Sequence, residues 1–311
     1  MKLTYLTLFL LITLGFVSCR KDKNDIDIKT HDEQQITNYI SANGLTNMKK
    51  AEGDTSGIYY EILSQGTGKA IAPYDTISYV LSQKTVDGLH QSTDTIANHL
   101  FGFAGQISPK GLQLAINNLM KTKGTRARVI VPSRLAYGIN GFSTGDNRIR
   151  GNESIVYYIH VIDNQKAYDE QSIQSYFKNN NINPAEFTRI NSGTYEGLYY
   201  KIRKQGTGTT LIKDNSTVSV TYRGQLLNNV VFDPSNYTAE NNASTFTVDL
   251  SNKGSVVPGF EYAVSLGQKE GTDLTVIMPS RLGYGRSTQG TSIPTSSCLF
   301  FEMSIGTVTN P

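Results

Sequence analysis

Two periodicities alternate along the chain, and the alternation occurs twice. Ile36, Tyr39 and Ile40 fall at i, i+3 and i+4, the apolar stripe of a short helix, with Asp32 ahead of them as a candidate cap. Ile173, Tyr176 and Phe177 repeat that stripe behind Asp169. A stripe of this kind is a packing face, so each helix is expected to dock on its own domain. A polar linker follows each stripe, and Asn-Asn-Asn-Ile-Asn-Pro at 179–184 is the clearest break. Beyond it the pattern turns to period two. Val218 and Val220 alternate with Thr217, Ser219 and Thr221, as in a half-buried strand. Residues 275–278 and 299–303 read as further strands, and one helical stretch, from roughly Phe260 to Leu266, lies between the 217–222 strand and these. The economical architecture is α+β: a mostly antiparallel sheet closing over one short helix.

The chain repeats itself. Asp32-Glu33-Gln34 recurs as Asp169-Glu170-Gln171, and Gly57-Ile58-Tyr59-Tyr60 as Gly197-Leu198-Tyr199-Tyr200. Gly66-Thr67-Gly68 recurs as Gly206-Thr207-Gly208, and the run Pro132-Ser133-Arg134-Leu135 with Tyr137-Gly138 as Pro279-Ser280-Arg281-Leu282 with Tyr284-Gly285. The spacing between copies grows along the chain, so the second copy carries small insertions. Four matches in one order mean duplication.

A length of 311 residues accommodates two such units. Apolar residues at 38% and charged residues at 18% exclude disordered and coiled-coil classes, and abundant Asn, Thr, Ser and Gly suit turn-rich β structure. The net charge of +3 forms no basic stripe, which argues against a nucleic-acid partner. Lys2 followed by the apolar run from Leu3 to Val17 is a processing signal, too short to span a bilayer comfortably. Its end, Phe16-Val17-Ser18-Cys19, resembles the lipobox of bacterial lipoproteins, although Phe16 stands where Leu is commoner. That resemblance implies acylation of Cys19 and stable membrane anchoring through several acyl chains. The alternative is an ordinary secretory peptide with an incidental Cys. Residues 1–18 are then the signal peptide and 19–30 a charged tether. The other cysteine, Cys298, sits in an apolar run and reads as core. With Cys19 acylated, no intramolecular disulfide forms.

The segment from Gly197 to about Val308 resembles the FKBP-type peptidyl-prolyl cis-trans isomerases. The resemblance rests on 220–224 (Val-Thr-Tyr-Arg-Gly), 231–233 (Val-Phe-Asp), 256–260 (Val-Val-Pro-Gly-Phe), 279–285, Ile293-Pro294 and the strand with Phe301-Glu302. It implies two FKBP-like domains, each a curved sheet around a short helix with an apolar pocket between. The first spans 31–163 with its leading helix, 164–196 is a linker with a helix, and 197–311 is the second domain. Carried over residue by residue, Tyr222, Asp233, Tyr284 and Phe301 would be catalytic. Phe232, Phe246, Val256, Val257, Phe260 and Ile293 would bind substrate. Phe260 forms the floor, where the family usually has Trp. Val257 N–H and the Tyr284 hydroxyl would donate to the substrate carbonyl, and Asp233 would orient Tyr222. A carboxylate beside an aromatic cluster is costly unless paired, so Tyr222 is its expected partner.

The implied reaction, rotation about an X–Pro bond, breaks no covalent bond and needs no nucleophile, metal or other cofactor. In the first copy Leu81 replaces Tyr222, Gln91-Ser92 replaces Phe232-Asp233 and Leu112 replaces Phe260. Phe101, Tyr137, Ile149 and Tyr157 are what remains, so this copy is expected to be inactive. It would hold clients, mediate dimerisation or space the active domain from the membrane. His31, His90, His99 and His160 show no i, i+4 pairing and read as surface or core residues, not metal ligands. The leading expectation is an isomerase of the bacterial cell envelope, lipid-anchored and facing periplasm or exterior, acting on proline-containing polypeptides. The runners-up are a non-catalytic client-binding or assembly scaffold and a cell-surface structural role.

Overall fold

The computed structural model describes residues 27–311 apart from 56, 145, 146, 237 and 239. The signal peptide, Cys19 and the tether up to residue 26 lie outside the described residues. No helix among the described residues is long and apolar enough to cross a membrane.

The alternating patterns fold into two seven-stranded antiparallel sheets of one topology. The first half supplies β1 (Lys49–Lys50), β2 (Tyr59–Ser64), β3 (Thr76–Thr85), β4 (Gln91–Ser92), β5 (His99–Phe103), β6 (Arg126–Val131), a separate hairpin of β7 (Phe142–Thr144) and β8 (Asn147–Ile149), and β9 (Ile155–Ile162). Their order is β1-β2-β6-β9-β3-β4, with β5 also paired to β3. The second half supplies β10 (Thr188–Arg189), β11 (Tyr199–Lys204), β12 (Thr217–Leu226), β13 (Val231–Asp233), β14 (Ser244–Asp249), β15 (Asp273–Met278) and β16 (Leu299–Thr309). Their order, β10-β11-β15-β16-β12-β13 with β14 on β12, repeats the first strand for strand.

Four α-helices among the described residues join them: α1 (Ile28–Ala42), α2 (Lys110–Leu114, continuing as a π-helical stretch over Ala115–Met120), α3 (Gln165–Asn179) and α4 (Pro258–Leu266). One face of each sheet packs on the internal helix. Ile77, Tyr79 and Leu81 meet Leu112 and Ile116 in the first core, and Val218 and Val220 meet Phe260 and Val264 in the second. A glycine in the first helical turn permits this approach. A Cβ on Gly259 would lie 2.5 Å from Met278 Sδ, and one on Gly111 2.2 Å from Val131 Cγ1.

The other face of each sheet carries the leading helix, as the apolar stripes require. Ile36 packs with Tyr59, Ile130 and Val156, and Ile173, Tyr176 and Phe177 pack with Tyr199, Ile277 and Phe300. The expected cap at Asp32 is corrected: α1 starts five residues earlier, capped by Asp27 accepting from Lys29 N at 3.2 Å. Asp32 and Asp169 are instead buried latches, 1% and 2% exposed. Ser133 Oγ donates to Asp32 at 2.6 Å, and Ser280 Oγ and N donate to Asp169 at 2.7 and 2.9 Å. A carboxylate so buried must be paired, and the duplicated Pro-Ser-Arg-Leu turn supplies the donors. A second link is duplicated too: Tyr59 donates to Glu33 and Tyr199 to Glu170, both at 2.5 Å.

These contacts move two boundaries. Residues 28–30 belong to α1 and not to the tether. The stretch 164–196 belongs to the second domain, because α3 is latched to Ser280 and β10 pairs with β11 as β1 pairs with β2.

Candidate active site

Between α4 and the concave face of the second sheet lies a cavity of about 500 Å³. Tyr222, Phe232, Asp233, Phe246, Val256, Val257, Phe260, Tyr284 and Phe301 line it, together with Gly254, Ser255 and Pro258. Of the residues singled out in the sequence for this site, Ile293 alone does not line it. It is 5% exposed and sits in the core cluster behind the wall, as its counterpart Ile149 sits in the first core.

Alternation along β12 and β16 aims Tyr222 and Phe301 inward. Phe301 is the hub of the aromatic cluster, edge-on to Phe260 at 5.2 Å, Phe232 at 5.8 Å and Tyr222 at 6.1 Å between ring centroids. Tyr222 and Phe260 meet edge-to-face at 5.1 Å. Such contacts set the positive edge of one ring on the negative face of another. Gly224 makes room for the meeting, since a Cβ there would lie 2.6 Å from the Phe232 ring and 2.8 Å from that of Phe301.

The polar groups are few and held. The Tyr222 hydroxyl donates to Asp233 Oδ2 at 2.5 Å. Ser244, opposite Tyr222 in the β12–β14 register, donates to Asp233 Oδ1, also at 2.5 Å. Both carboxylate oxygens are therefore occupied, which lowers the cost of placing Asp233 beside aromatic rings. Burial, then the bond to Asp233 and its charge, push the Tyr222 pKa well above the usual tyrosine range. Burial, with Asp233 behind it, also raises that of Tyr284. Both phenols are thus protonated donors at neutral pH. Val257 caps α4 just ahead of Pro258, and among the described residues no acceptor takes its N–H.

Ser244 was not legible in the sequence as a site residue. It follows a run of ten residues after Asp233, and a serine in so polar a stretch carries no signal until the register is known.

Strand register aligns the first domain without ambiguity. Leu81 faces Ile159 as Tyr222 faces Met303, and Ser92 faces Gln83 as Asp233 faces Gly224. Tyr157 stands for Phe301, and Leu112, after Gly111, stands for Phe260 after Gly259. One survivor is corrected. Leu100, not Phe101, occupies the position of Phe246, because Tyr79 faces Leu100 as Val220 faces Phe246. A further loss appears at the helix cap, where Pro109 occupies the position of Val257 and has no N–H to offer. The Ser244–Asp233 link persists in altered form, as Asn98 Nδ2 donating to Ser92 Oγ at 2.8 Å.

Residues 208–305 match the family described as FKBP-type peptidyl-prolyl cis-trans isomerase. The chain is 38% identical over 112 residues to the probable FKBP-type peptidyl-prolyl cis-trans isomerase FkpA of Neisseria meningitidis serogroup B, a stretch covering 36% of this chain and 38% of that protein. It is equally similar to a probable FKBP-type isomerase of Haemophilus influenzae, covering 43% of that protein. The chain thus spans well under half the length of these curated relatives. A longer match, 26% identical over 258 residues, covers 81% of this chain and 38% of FKBP9 of Mus musculus. Among solved structures, FkpA from Escherichia coli aligns over 46% of this chain and 61% of its own, at 24% identity and a TM-score of 0.35. The three FKBP domains of wheat FKBP73 align over 82% of this chain and 95% of theirs, at 17% identity and a TM-score of 0.33.

Proposed function

We propose that this chain, which carries an FKBP-type peptidyl-prolyl isomerase domain, catalyses cis–trans isomerisation of X–Pro bonds in its second domain and not in its first. The observation that carries this reading is the aromatic cavity with two protonated phenols, a doubly held carboxylate and an unused backbone N–H in its wall. Rotation about the bond breaks amide resonance against a barrier of ~18–20 kcal/mol, and uncatalysed it takes tens of seconds or longer. A site that strips water from the prolyl amide, and fits its twisted form better than its planar one, lowers the barrier by differential binding.

In this reading the proline ring enters against Phe260 and Phe301, with Phe232, Phe246 and Val256 as walls. Val257 N–H and the Tyr284 hydroxyl donate to carbonyl oxygens of the substrate. Tyr222 is held by Asp233 and keeps the aromatic wall in place. Ile293 supports that wall from the core. Each tenfold in rate requires about 1.4 kcal/mol of preference for the twisted amide.

A proline-peptide isomerisation assay without protease, on the chain from Lys21 onward, tests the reading. Activity in wild type that is lost in Phe301→Ala and Asp233→Val is expected. No activity above background in wild type would sink it. The proposed clients are exported proteins, and the proposed location is the cell envelope through acylated Cys19. What supports the location is Phe16-Val17-Ser18-Cys19 at the end of an apolar leader. Incorporation of a labelled fatty acid that disappears in Cys19→Ser checks it.

A further inference from the structure

We infer that the first domain braces the second domain's cavity, and that Phe101 is a positioning residue acting on the loop that carries Tyr284. The inference rests on the isomerase reading for its effect on turnover, but its geometry stands alone. Phe101 lies on the face of β5 turned away from its own core, next in sequence to the pocket-side Leu100. The Arg286 guanidinium sits over its ring, 4.7 Å from the centroid. Arg286 follows Tyr284 by two residues, so the cation–π contact pins the loop that presents the phenol.

The opposite side of the cavity is held from the same segment of the first domain. Asn228, in the turn between β12 and β13, donates through its side-chain amide to Asp94 Oδ2. That turn leads directly into Phe232 and Asp233. Asp94 is itself fixed, its Oδ1 accepting from Ile96 N at 2.8 Å. Ile96 packs against both buried clusters of the second domain. Two contacts to α3 complete the junction: Ser78 Oγ donates to Gln165 Oε1 at 2.9 Å, and His99 meets the Tyr168 ring edge-on at 5.5 Å. The first domain thus grips both segments that frame the site. A loop already held loses less freedom when substrate arrives, so releasing it weakens binding more than it slows the bound reaction.

The test uses the same soluble chain, comparing Phe101→Ala, Phe101→Leu and Phe101→Trp by steady-state isomerase kinetics and by amide hydrogen exchange over 284–297. Phe101→Ala and Phe101→Leu are expected to raise KM by about twofold to thirtyfold, the range that ~0.5–2 kcal/mol of cation–π energy converts to. They should leave kcat nearly constant and speed exchange in the loop. Phe101→Trp should restore both. Arg286→Ala should reproduce the effect and add nothing to Phe101→Ala, a coupling that general unfolding does not produce. Unchanged KM and unchanged exchange in Phe101→Ala would overturn the brace, and so would full restoration by Leu, which keeps bulk without a π face. If wild type shows no turnover the isomerase reading fails, and the exchange rates alone decide the brace.

Discussion

The two domains hang their leading helices on the sheet by the same carboxylate–serine latch, yet line the opposite face of that sheet differently. On the latch side the copies use the same residue pairs: Asp32 with Ser133, Asp169 with Ser280, Tyr59 with Glu33, Tyr199 with Glu170. On the cavity side Leu81, Ser92, Leu112 and Pro109 take the positions of Tyr222, Asp233, Phe260 and Val257 with its N–H. The latch closes the fold, because an unpaired buried carboxylate is penalised in either copy. The cavity polar groups do not close the fold, and a leucine in their place fills space at no electrostatic cost. Folding tolerates what chemistry does not.

The largest expected effect comes from making the second domain read like the first. Tyr222→Leu with Asp233→Ser and Val257→Pro should cut kcat/KM by about a hundredfold or more, two steps of ~1.4 kcal/mol each. The unfolding midpoint in urea should move far less than the activity. The reverse graft, Leu81→Tyr with Ser92→Asp and Leu112→Phe, should leave the first domain inactive, since Pro109 still offers no N–H. Activity gained by that graft alone would show that the cap donor is dispensable.

How much of this was legible in the sequence follows from the same contrast. Duplication, strand alternation and the loss of Tyr222, Asp233 and Phe260 from the first copy are properties of residue type and order, and they could be read directly. Register could not. In His99-Leu100-Phe101-Gly102-Phe103 adjacent positions are both apolar, so alternation does not say which of Leu100 and Phe101 faces the cavity. Phe101 turned out to face the other domain. Asp32 looked like a cap because capping and burial both select Asp before an apolar stripe. Pro109 stayed hidden because the gap before α2 has no anchor in sequence. Ser244 depends on a pairing across β12 and β14 that nothing local encodes.

Next in size is the latch. Asp169→Ala strands the Ser280 N–H and hydroxyl in the interior, which should lower unfolding free energy by about 1–3 kcal/mol. Asp32→Ala should cost a similar amount in the first domain. Urea unfolding followed by domain-resolved hydrogen exchange measures both. A large difference between them would break the equivalence of the two helices.

Acid should separate the domains again, by a smaller margin. All four histidines lie in the first domain. Burial lowers His99 and His160 to about 4 from the usual 6.5, with the charge of His160 adding to it at His99 and that of Arg126 at His160. The unfolded chain therefore binds protons that the folded one refuses. Their contribution is fully present above pH 6.5 and is lost as pH falls toward about 4. Asp169 has the opposite sign, because burial raises its carboxyl, so its contribution is lost as pH rises through its folded pKa. Glu33 and Glu170 are both lowered at matching positions and cancel in the comparison. Amides of the first domain should lose protection between pH 6.5 and 4.5 more than those of the second. Equal loss in both would contradict the assignment, and His99→Gln should remove part of the difference.

The smallest effect separates a link that serves the fold from one that serves the site. Ser244 to Asp233 and Asn98 to Ser92 join the same two strands at the same two positions. The bond therefore has a structural share, present even where no carboxylate remains. In the second domain it has a further one, because it fixes the oxygen of Asp233 that Tyr222 does not hold. Ser244→Ala should reduce kcat/KM by about threefold to tenfold, corresponding to one hydrogen bond of ~0.5–1.5 kcal/mol. Ser244→Thr should restore the activity by keeping a hydroxyl. Ser244→Asn, the first domain's residue, should restore stability, and it should restore activity too if any donor to Asp233 suffices. Stability lost without activity would make Ser244 a strand fastener alone. Activity lost with stability intact would mark orientation of Asp233 as the part of the link that the first domain gave up.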